Sequence, residues 1–364
     1  MRVLVVTGAS GGHIFPAASF IRALKERVKD VETLLVLPAR GLKAVNSLSD
    51  CNVKYICTPG VSLKINFNNL IALGAFIKGS WESLRIILKF KPDLVVGFGS
   101  QDSVPGLFFA WLFRIKTLIH EQNVLPGRAN SLLAKFVDRV ALSFDETKRY
   151  LNINQAKIAV TGNPLRQELK ITDKAIGLDY LGLDKDKFTI LVMGGSHGSQ
   201  RINSAFLKAL GKLPENAALQ VIHICGSRDY DSLRDKYKNI AWKVKLLPFL
   251  EQMQYAYSAA DLALCRAGAT TVAELIYFNL PAIIIPYPFA YAHQYANAKV
   301  LEGRKSALIV EDKDLDTAGF RELLYGLISD PDKIRNLRSN HSQASNNSAA
   351  SLLAELTVSL LVVN

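Results

Sequence analysis

The sequence predicts an α/β protein of two Rossmann-like domains, each a parallel sheet with helices on both faces. Three observations carry the prediction. Short runs rich in β-branched residues alternate with segments of helical spacing; the alternation restarts after mid-chain; and each half opens with a strand, a glycine-rich loop and a helix. At 364 residues the chain is also long for a single core.

In chain order, RVLVVTG, ETLLVL, VKYIC, DLVVGFG, TLIHE, DRVALSF and KIAVTG read as strands of the first domain. FTILVMGG, LQVIHICG, WKVKLL, DLALCR, PAIIIP and SALIV repeat the grammar in the second. The Asn-Pro step in GNPLR, at 162–166, marks the break between them. Boundaries are therefore expected at 1–161 and 162–340, with a separate terminal segment at 341–364. Sheets of this kind bind ligands at the carboxyl ends of their strands, so two such domains are expected to present two sets of loops across a cleft.

Hydrophobic residues make up 49% and charged residues 21%, a globular composition. No stretch approaches the ~18 uninterrupted apolar residues of a membrane span, and the N-terminal MRVLVVTG meets glycine too early for a signal peptide. Cys51, Cys57, Cys225 and Cys265 lack CxxC spacing, which argues against a zinc site or a disulfide framework and for a reducing cytosol. The net charge of +12 comes from 44 basic and 32 acidic residues spread along the chain. With no basic arm and no nucleic-acid-binding signature, it points to phosphorylated substrates or an anionic membrane face and away from nucleic acid.

The glycine loops carry the chemistry. Gly8-Ala-Ser-Gly-Gly-His13 lacks the spacing of a dinucleotide fingerprint, and LLVLPAR ends without the acid that would hold a ribose, so NAD binding is disfavoured. A second loop runs from Gly97 to Gly106, and a third, Met193-Gly-Gly-Ser-His-Gly-Ser199, leads into a helix suited to a diphosphate. In Cys265-Arg-Ala-Gly-Ala-Thr-Thr-Val-Ala-Glu274 the small residues allow close backbone approach, so the amides of Ala269 to Thr271 are expected to face phosphate. Glu274 reads either as an acceptor for ribose hydroxyls or as a plain complement to the helix N-terminus. Gln294 and Asn297 follow on a helix. The Asp-x-Asp pairs lie outside these loops and several are interrupted by lysine, so no metal and no cofactor are expected.

TGASGGH, IHEQN, GNPLR, GGSHG, CRAGATTVAE and HQYANA stand in an order and spacing that resemble the MurG family of bacterial cell-wall glycosyltransferases, over residues 1 to about 300. The resemblance implies a GT-B architecture and a C-terminal helix packing back on the first domain. It implies transfer of N-acetylglucosamine from a UDP-GlcNAc donor to the muramoyl 4-hydroxyl of lipid I, with inversion, giving lipid II and UDP. Donor contacts are implied at Ser10, Gly11, Gly12, Asn123, Arg166, Ser196, Leu250, Ala269, Thr270, Thr271, Val272, Ala273, Glu274 and Gln294. Among these, the Leu250 backbone is implied to meet uracil, Glu274 the ribose, and Asn123 and Gln294 the sugar hydroxyls. The chain departs from the family pattern at Ala9-Ser10, at His197 and His293, and at Gly99-Ser100-Gln101, where Gly-Gly-Tyr is usual.

Inversion by direct displacement needs a base on the acceptor hydroxyl. His13 is favoured, because a helix N-terminus disfavours imidazolium and keeps the ring neutral. His120 and Glu121 are its rivals, and a helix cap is the plain alternative for His13. Ser196, the amides near Ala269 and either Arg166 or Arg266 are candidates to stabilise the departing UDP. His223, in VIHIC, reads as a core side chain.

Lipid I implies peripheral docking on the anionic cytoplasmic face of the membrane, and cell-wall synthesis proteins are expected among the partners. In NNLIALGAFIKGSWESLRIILKFK, Leu70, Leu73, Ile77, Leu84 and Ile87 form the expected core stripe. Ile71, Phe76 and Trp81 lie off it near Lys64, Lys78 and Arg85, and Trp111 and Phe113 precede Arg114 and Lys116. A non-hydrolysing UDP-sugar epimerase and a catalytically silent UDP-sugar binder are the alternative readings.

Overall fold

A computed structural model of the chain describes residues 1–39, 48, 51–58, 68–195, 198–214, 218–290, 292–339 and 346–362. It forms two compact units, Met1–Arg166 with Asn346–Asn364, and Gln167–Ser345.

Unit 1 runs β1 (Arg2–Val6), α1 (Gly11–Arg27), β2 (Glu32–Pro38), β3 (Val53–Ile56), α2 (Asn68–Phe90), β4 (Leu94–Gly97), α3 (Val104–Leu112), β5 (Lys116–Glu121), α4 (Arg128–Leu133), β6 (Arg139–Leu142) and β7 (Ile158–Val160). Its seven strands are parallel in the order β3-β2-β1-β4-β5-β6-β7, with Val5 in register with Leu35 on one side and Val96 on the other. Alternation along a strand sends successive side chains to opposite faces. Val3 and Val5 of β1 enter a core with Phe20 and Leu24 of α1, while Leu4 and Val6 enter the opposite core with Ile87, Leu107 and Leu133. The chain ends in this unit: the helix Asn346–Val362 lies against α1 and places Leu353 and Ala354 in the same core as Phe20.

Unit 2 runs α5 (Lys174–Leu181), β8 (Phe188–Met193), α6 (Gln200–Leu210), β9 (Leu219–Ile224), α7 (Tyr230–Tyr237), β10 (Lys243–Leu247), α8 (Met253–Ala259), β11 (Leu262–Cys265), α9 (Ala269–Tyr277), β12 (Ala282–Ile284), α10 (His293–Gly303), β13 (Ala307–Ile309), α11 (Ala318–Ile328) and α12 (Pro331–Ser339). The helix that closes the chain in unit 1 is thus α13. The six parallel strands are ordered β10-β9-β8-β11-β12-β13. All thirteen strand runs read from the sequence form strands. Each sheet reverses its strand order beside its first strand, between β1 and β4 and between β8 and β11. Neighbouring crossovers diverge there, leaving a crevice at the carboxyl edge.

One expectation is overturned. On α2 the expected core stripe holds only at its end: Ile87 is buried and Leu84 half-buried, whereas Leu73 and Ile77 are exposed; the side chains of Leu70 and Ile71 lie outside the described residues. The packed face is Gly79, Ser83 and Ile87, four residues apart. A Cβ built on Gly79 would lie 1.9 Å from the Cys57 carbonyl oxygen, so helix and strand approach to backbone contact. Cys57 N–H donates to Glu82 (2.6 Å) beside it. Only small residues admit such an approach, and they carry no apolar signal.

Leu353→Ala is expected to destabilise unit 1 by about 2–4 kcal/mol, through lost burial plus a residual cavity. Leu352→Ala, at a position 44% exposed, is expected to change stability by less than about 0.5 kcal/mol. Urea unfolding followed by tryptophan fluorescence measures both.

Candidate active site

The unit 1 site is built from the segments that leave β1, β4 and β5. β1 delivers Gly8 through Gly12 directly into α1, whose N-cap is Ser10. The Ser10 side chain does not cap the helix; its Oγ lies 2.7 Å from His13 Nδ1. Pro16, inside α1, has no N–H to give to the Gly12 carbonyl, so the first turns lose one helical hydrogen bond next to His13. His13 is half-buried. Desolvation holds its pKa below the ordinary imidazole value, and the Asp102 charge opposes that shift. Gly11 and Gly12 occupy the first turn of α1. Arg166 stacks its guanidinium over the Phe15 ring of α1 at 5.2 Å.

His120 and Glu121 end β5, and both are committed internally. His120 Nε2 lies 3.0 Å from the Gly162 carbonyl, which only accepts, so Nε2 carries the proton; Nδ1 then accepts from Gln122 Nε2 at 3.1 Å. Burial lowers the His120 pKa to about 4, so the ring is neutral at ordinary pH. Glu121 Oε1 accepts from Asn123 N (2.8 Å) and Asn123 Nδ2 (3.2 Å), and Oε2 from Gly127 N (3.0 Å) and Asn130 Nδ2 (2.8 Å). Four donors on one buried carboxylate fix the turn from β5 to α4. Asn123, half-buried, is aimed by that carboxylate.

The unit 2 site gathers the ends of β8, β10, β11 and β12. Of the loop after β8, Ser196 and His197 lie outside the described residues. Ser199 caps α6 through Ile202 N. Gly198, at φ +74°, must be glycine: a Cβ there would lie 2.1 Å from the Cys225 carbonyl oxygen. α9 begins at Ala269 behind the N-cap Gly268, with no side-chain cap and no acidic residue in its first turn. The first amides of a helix lack intrahelical partners and attract anions, and Ala269, Thr270 and Thr271 supply them here. The Thr270 hydroxyl is buried with no hydrogen-bond partner among the described residues. Val272 and Ala273 continue α9 to Glu274, which is buried and accepts a 2.6 Å hydrogen bond from Tyr257 OH of α8.

Gln294 Oε1 accepts from both Ala267 N (3.2 Å) and Tyr287 N (2.9 Å), while Asn297 Nδ2 donates to the Ala267 carbonyl at 3.1 Å. These two amides clamp the entry to α9 from α10. Leu250, after β10, is buried at the site's edge. Arg266 is turned inward: it pairs with Asp312, donates to Ser199 Oγ (3.0 Å) and to the Ile285 carbonyl (3.2 Å), and lies 5.3 Å from the Tyr287 ring centre. Its charge holds loops together from behind. His223 accepts and donates inside a buried set with Tyr237 OH (2.7 Å) and Asn203 Oδ1 (2.9 Å), as a core side chain should.

Sequence reasoning did not single out Tyr257, Asp102 or Gln122. Tyr257 meets a carboxylate 17 residues away and Asp102 stands in a loop without periodicity, so no local pattern marks them; Gln122 stood within the IHEQN motif.

The chain matches the glycosyltransferase family 28 N-terminal domain over residues 3–142 and the family 28 C-terminal domain over 189–356. Proteins named UDP-N-acetylglucosamine--N-acetylmuramyl-(pentapeptide) pyrophosphoryl-undecaprenol N-acetylglucosamine transferase are similar to it along nearly their whole length. That of Thermoanaerobacter sp. is 36% identical, covering 99% of this chain and 100% of the relative. That of Acetivibrio thermocellus is 34% identical, covering 93% of each. Among solved structures, MurG of Acinetobacter baumannii superposes with a TM-score of 0.76 at 27% identity, over 98% of this chain and 99% of that one. A UDP-GlcNAc 2-epimerase of Neisseria meningitidis shares the fold, with a TM-score of 0.70 at 16% identity over 100% of both chains. With two parallel-sheet units, both family domains and this extent of identity, the chain belongs to glycosyltransferase family 28, in its MurG branch.

Proposed function

We propose that this chain is an inverting glycosyltransferase that moves N-acetylglucosamine from UDP-GlcNAc to the muramoyl 4-hydroxyl of lipid I, forming lipid II and UDP. The observation that carries this reading is the near-full-length identity to relatives named for that transfer. The epimerase alternative is not favoured, since its similarity is one of fold alone.

Unit 2 takes the donor. Glu274, held by Tyr257, accepts hydrogen bonds from the ribose hydroxyls, and the Leu250 backbone meets uracil. The amides of Ala269 to Thr271, with the Thr270 hydroxyl and Ser196, take the diphosphate. Gln294 and Asn123 address the sugar hydroxyls, and Ser10, Gly11, Gly12 and Arg166 complete the donor contacts. Unit 1 supplies the base. His13 is kept neutral by desolvation, and among the described residues its ring is not locked between two internal partners as that of His120 is. Glu121, with four internal donors, acts as a positioning residue. The acceptor 4-hydroxyl gives its proton to His13 while its oxygen bonds to the anomeric carbon from the face opposite UDP. The carbon–oxygen bond to UDP breaks with its electron pair passing to the diphosphate, and positive potential at α9 favours that departure.

Docking to an anionic cytoplasmic membrane surface is part of the same reading. No described helix is long and apolar enough to cross a membrane. The face of α2 left uncovered by the Gly79 contact exposes Phe76, Ile77 and Trp81, and α3, packed on α2, exposes Phe108 and Trp111. Trp111 continues to Phe136 at 5.4 Å, and the Arg85 guanidinium lies 5.1 Å from the Trp81 ring centre. Exposed aromatics edged by Arg85, Lys78, Arg114 and Lys135 match the boundary of an anionic leaflet.

Release of UDP that depends on a lipid I analogue tests the reaction. His13→Ala is expected to lower kcat by roughly 10²- to 10⁴-fold, the usual span for a general base, with UDP-GlcNAc affinity retained. In the wild type the acid limb of kcat/KM is expected below the ordinary imidazole value of about 6.5: activity is present above the His13 pKa and lost as pH falls through it. Glu274→Gln is expected to weaken UDP-GlcNAc about 10- to 100-fold by calorimetry, through loss of charged hydrogen bonds, and Tyr257→Phe to weaken it in the same direction by less. Unchanged donor affinity in Glu274→Gln would sink the donor assignment. Paired Trp81→Glu and Trp111→Glu are expected to abolish sedimentation with phosphatidylglycerol vesicles while leaving transfer to a water-soluble acceptor analogue intact.

A further inference from the structure

The segment after β4 holds a residue in a conformation that side chains rarely adopt. Ser100 sits at φ +68°, ψ 152°, a region used almost only by glycine. Gly99 before it is also at positive φ, +76°. Such strain persists where surrounding contacts over-determine it, and here they are specific. A Cβ built on Gly8 would lie 2.5 Å from Ser100 Cβ, so Gly8 makes room for the serine. The Ser100 hydroxyl donates to Asp102 Oδ2 at 2.9 Å, and the Ser103 hydroxyl donates to the Ser100 carbonyl at 2.8 Å. Asp102 is only 3% exposed.

The loop therefore presses against His13 from one side. A Cβ on Gly8 would lie 3.2 Å from His13 Nδ1, and one on Gly99 would lie 3.3 Å from His13 Cδ2. The other groups nearest Gly99 are the neutral amides of Gln122 and Asn130. Behind them Glu121 is occupied by four donors, and His120 is neutral between two partners. Ser10, on the ring's own helix, is uncharged. The Arg166 guanidinium lies over Phe15, two residues along the same helix. Asp102 is the buried carboxylate of the adjoining loop, and its charge acts on the ring against desolvation.

We propose that Asp102, fixed by the strained Ser100, is the positioning carboxylate that supports His13 as it takes the proton of the acceptor hydroxyl. This rests on the transferase reading above. As the 4-hydroxyl oxygen bonds to the anomeric carbon and UDP departs with the electron pair, the proton resides on His13. Asp102 remains a carboxylate and stabilises through its charge the imidazolium that forms, while Ser10 Oγ meets Nδ1. The ordinary tension between a desolvated ring and the charge it must acquire is met by one fixed anion, placed at the expense of backbone strain.

The experiment is the pH profile of kcat/KM, with UDP-GlcNAc affinity measured in parallel, for wild type, Asp102→Asn and Ser100→Gly. Asn keeps an acceptor for the Ser100 hydroxyl and removes the charge. Asp102→Asn is expected to lower plateau kcat by on the order of 10- to 100-fold. Its acid limb is expected to move to lower pH, because the raising influence on His13 is gone, while donor affinity stays at the wild-type value. Ser100→Gly is expected to melt at a higher temperature, having lost the strain, and yet to turn over several-fold more slowly with its limb displaced in the same direction. A rate loss with an unmoved limb in both variants would make loop two a structural support and overturn the proposal, as would wild-type kinetics in either. Absence of acceptor-dependent UDP release from the wild type would instead remove the transferase reading on which it rests.

Discussion

Close approach at a glycine beside the first strand of each sheet governs the rest of this structure. Where β1 and β4 meet, Gly8 lies against the Ser100 side chain; where β8 and β9 end, Gly198 lies against the Cys225 carbonyl. At each place a single methyl group would meet an atom at 2.5 Å or less. The loops can therefore gather at the carboxyl edge of each sheet only with glycine in these positions. The loop that carries His13 leaves β1 and the one that leads to Glu274 leaves β11, each beside a reversal of strand order.

Behind the loops, buried polar groups do the holding. Glu121 satisfies four donors between β5 and α4, and Arg266 ties Ser199, the Ile285 carbonyl and Asp312 into one cluster. Asn297 grips the Ala267 carbonyl at the entry to α9. A buried charge is tolerated only when its hydrogen bonds are met, and one that meets several loops at once fixes their separation. The groups left for chemistry differ from these. Among the described residues His13 has one polar contact, through Nδ1, and the Thr270 hydroxyl is unmatched. The same division separates residues that shape the site from residues suited to touch substrate.

α2 shows a further consequence of close approach. Its contact with the end of β3 runs through Gly79 and Glu82, while Ile77 and Trp81 are exposed. An apolar stripe at helical spacing is commonly the core face. Here the buried face is the one with the least apolar surface, because backbone proximity replaces side-chain interdigitation. The exposed aromatics are thus a product of the packing, and they form the surface to which membrane docking is ascribed.

The sequence by itself determined the thirteen strands, the two-sheet α/β class and the family, because period-two and helical spacing and the glycine loops are local signals. It also marked His13, Glu274 and the start of α9, since each stands within a few residues of a glycine that follows a strand. Only the tertiary structure decided that the His120 ring is consumed by internal hydrogen bonds, for its Nε2 partner, the Gly162 carbonyl, comes from 42 residues away. It likewise brought Tyr257 to Glu274 and set Ser100 in a glycine conformation beside Asp102. Strain and long-range hydrogen bonds depend on where separate elements meet. No window of sequence contains that.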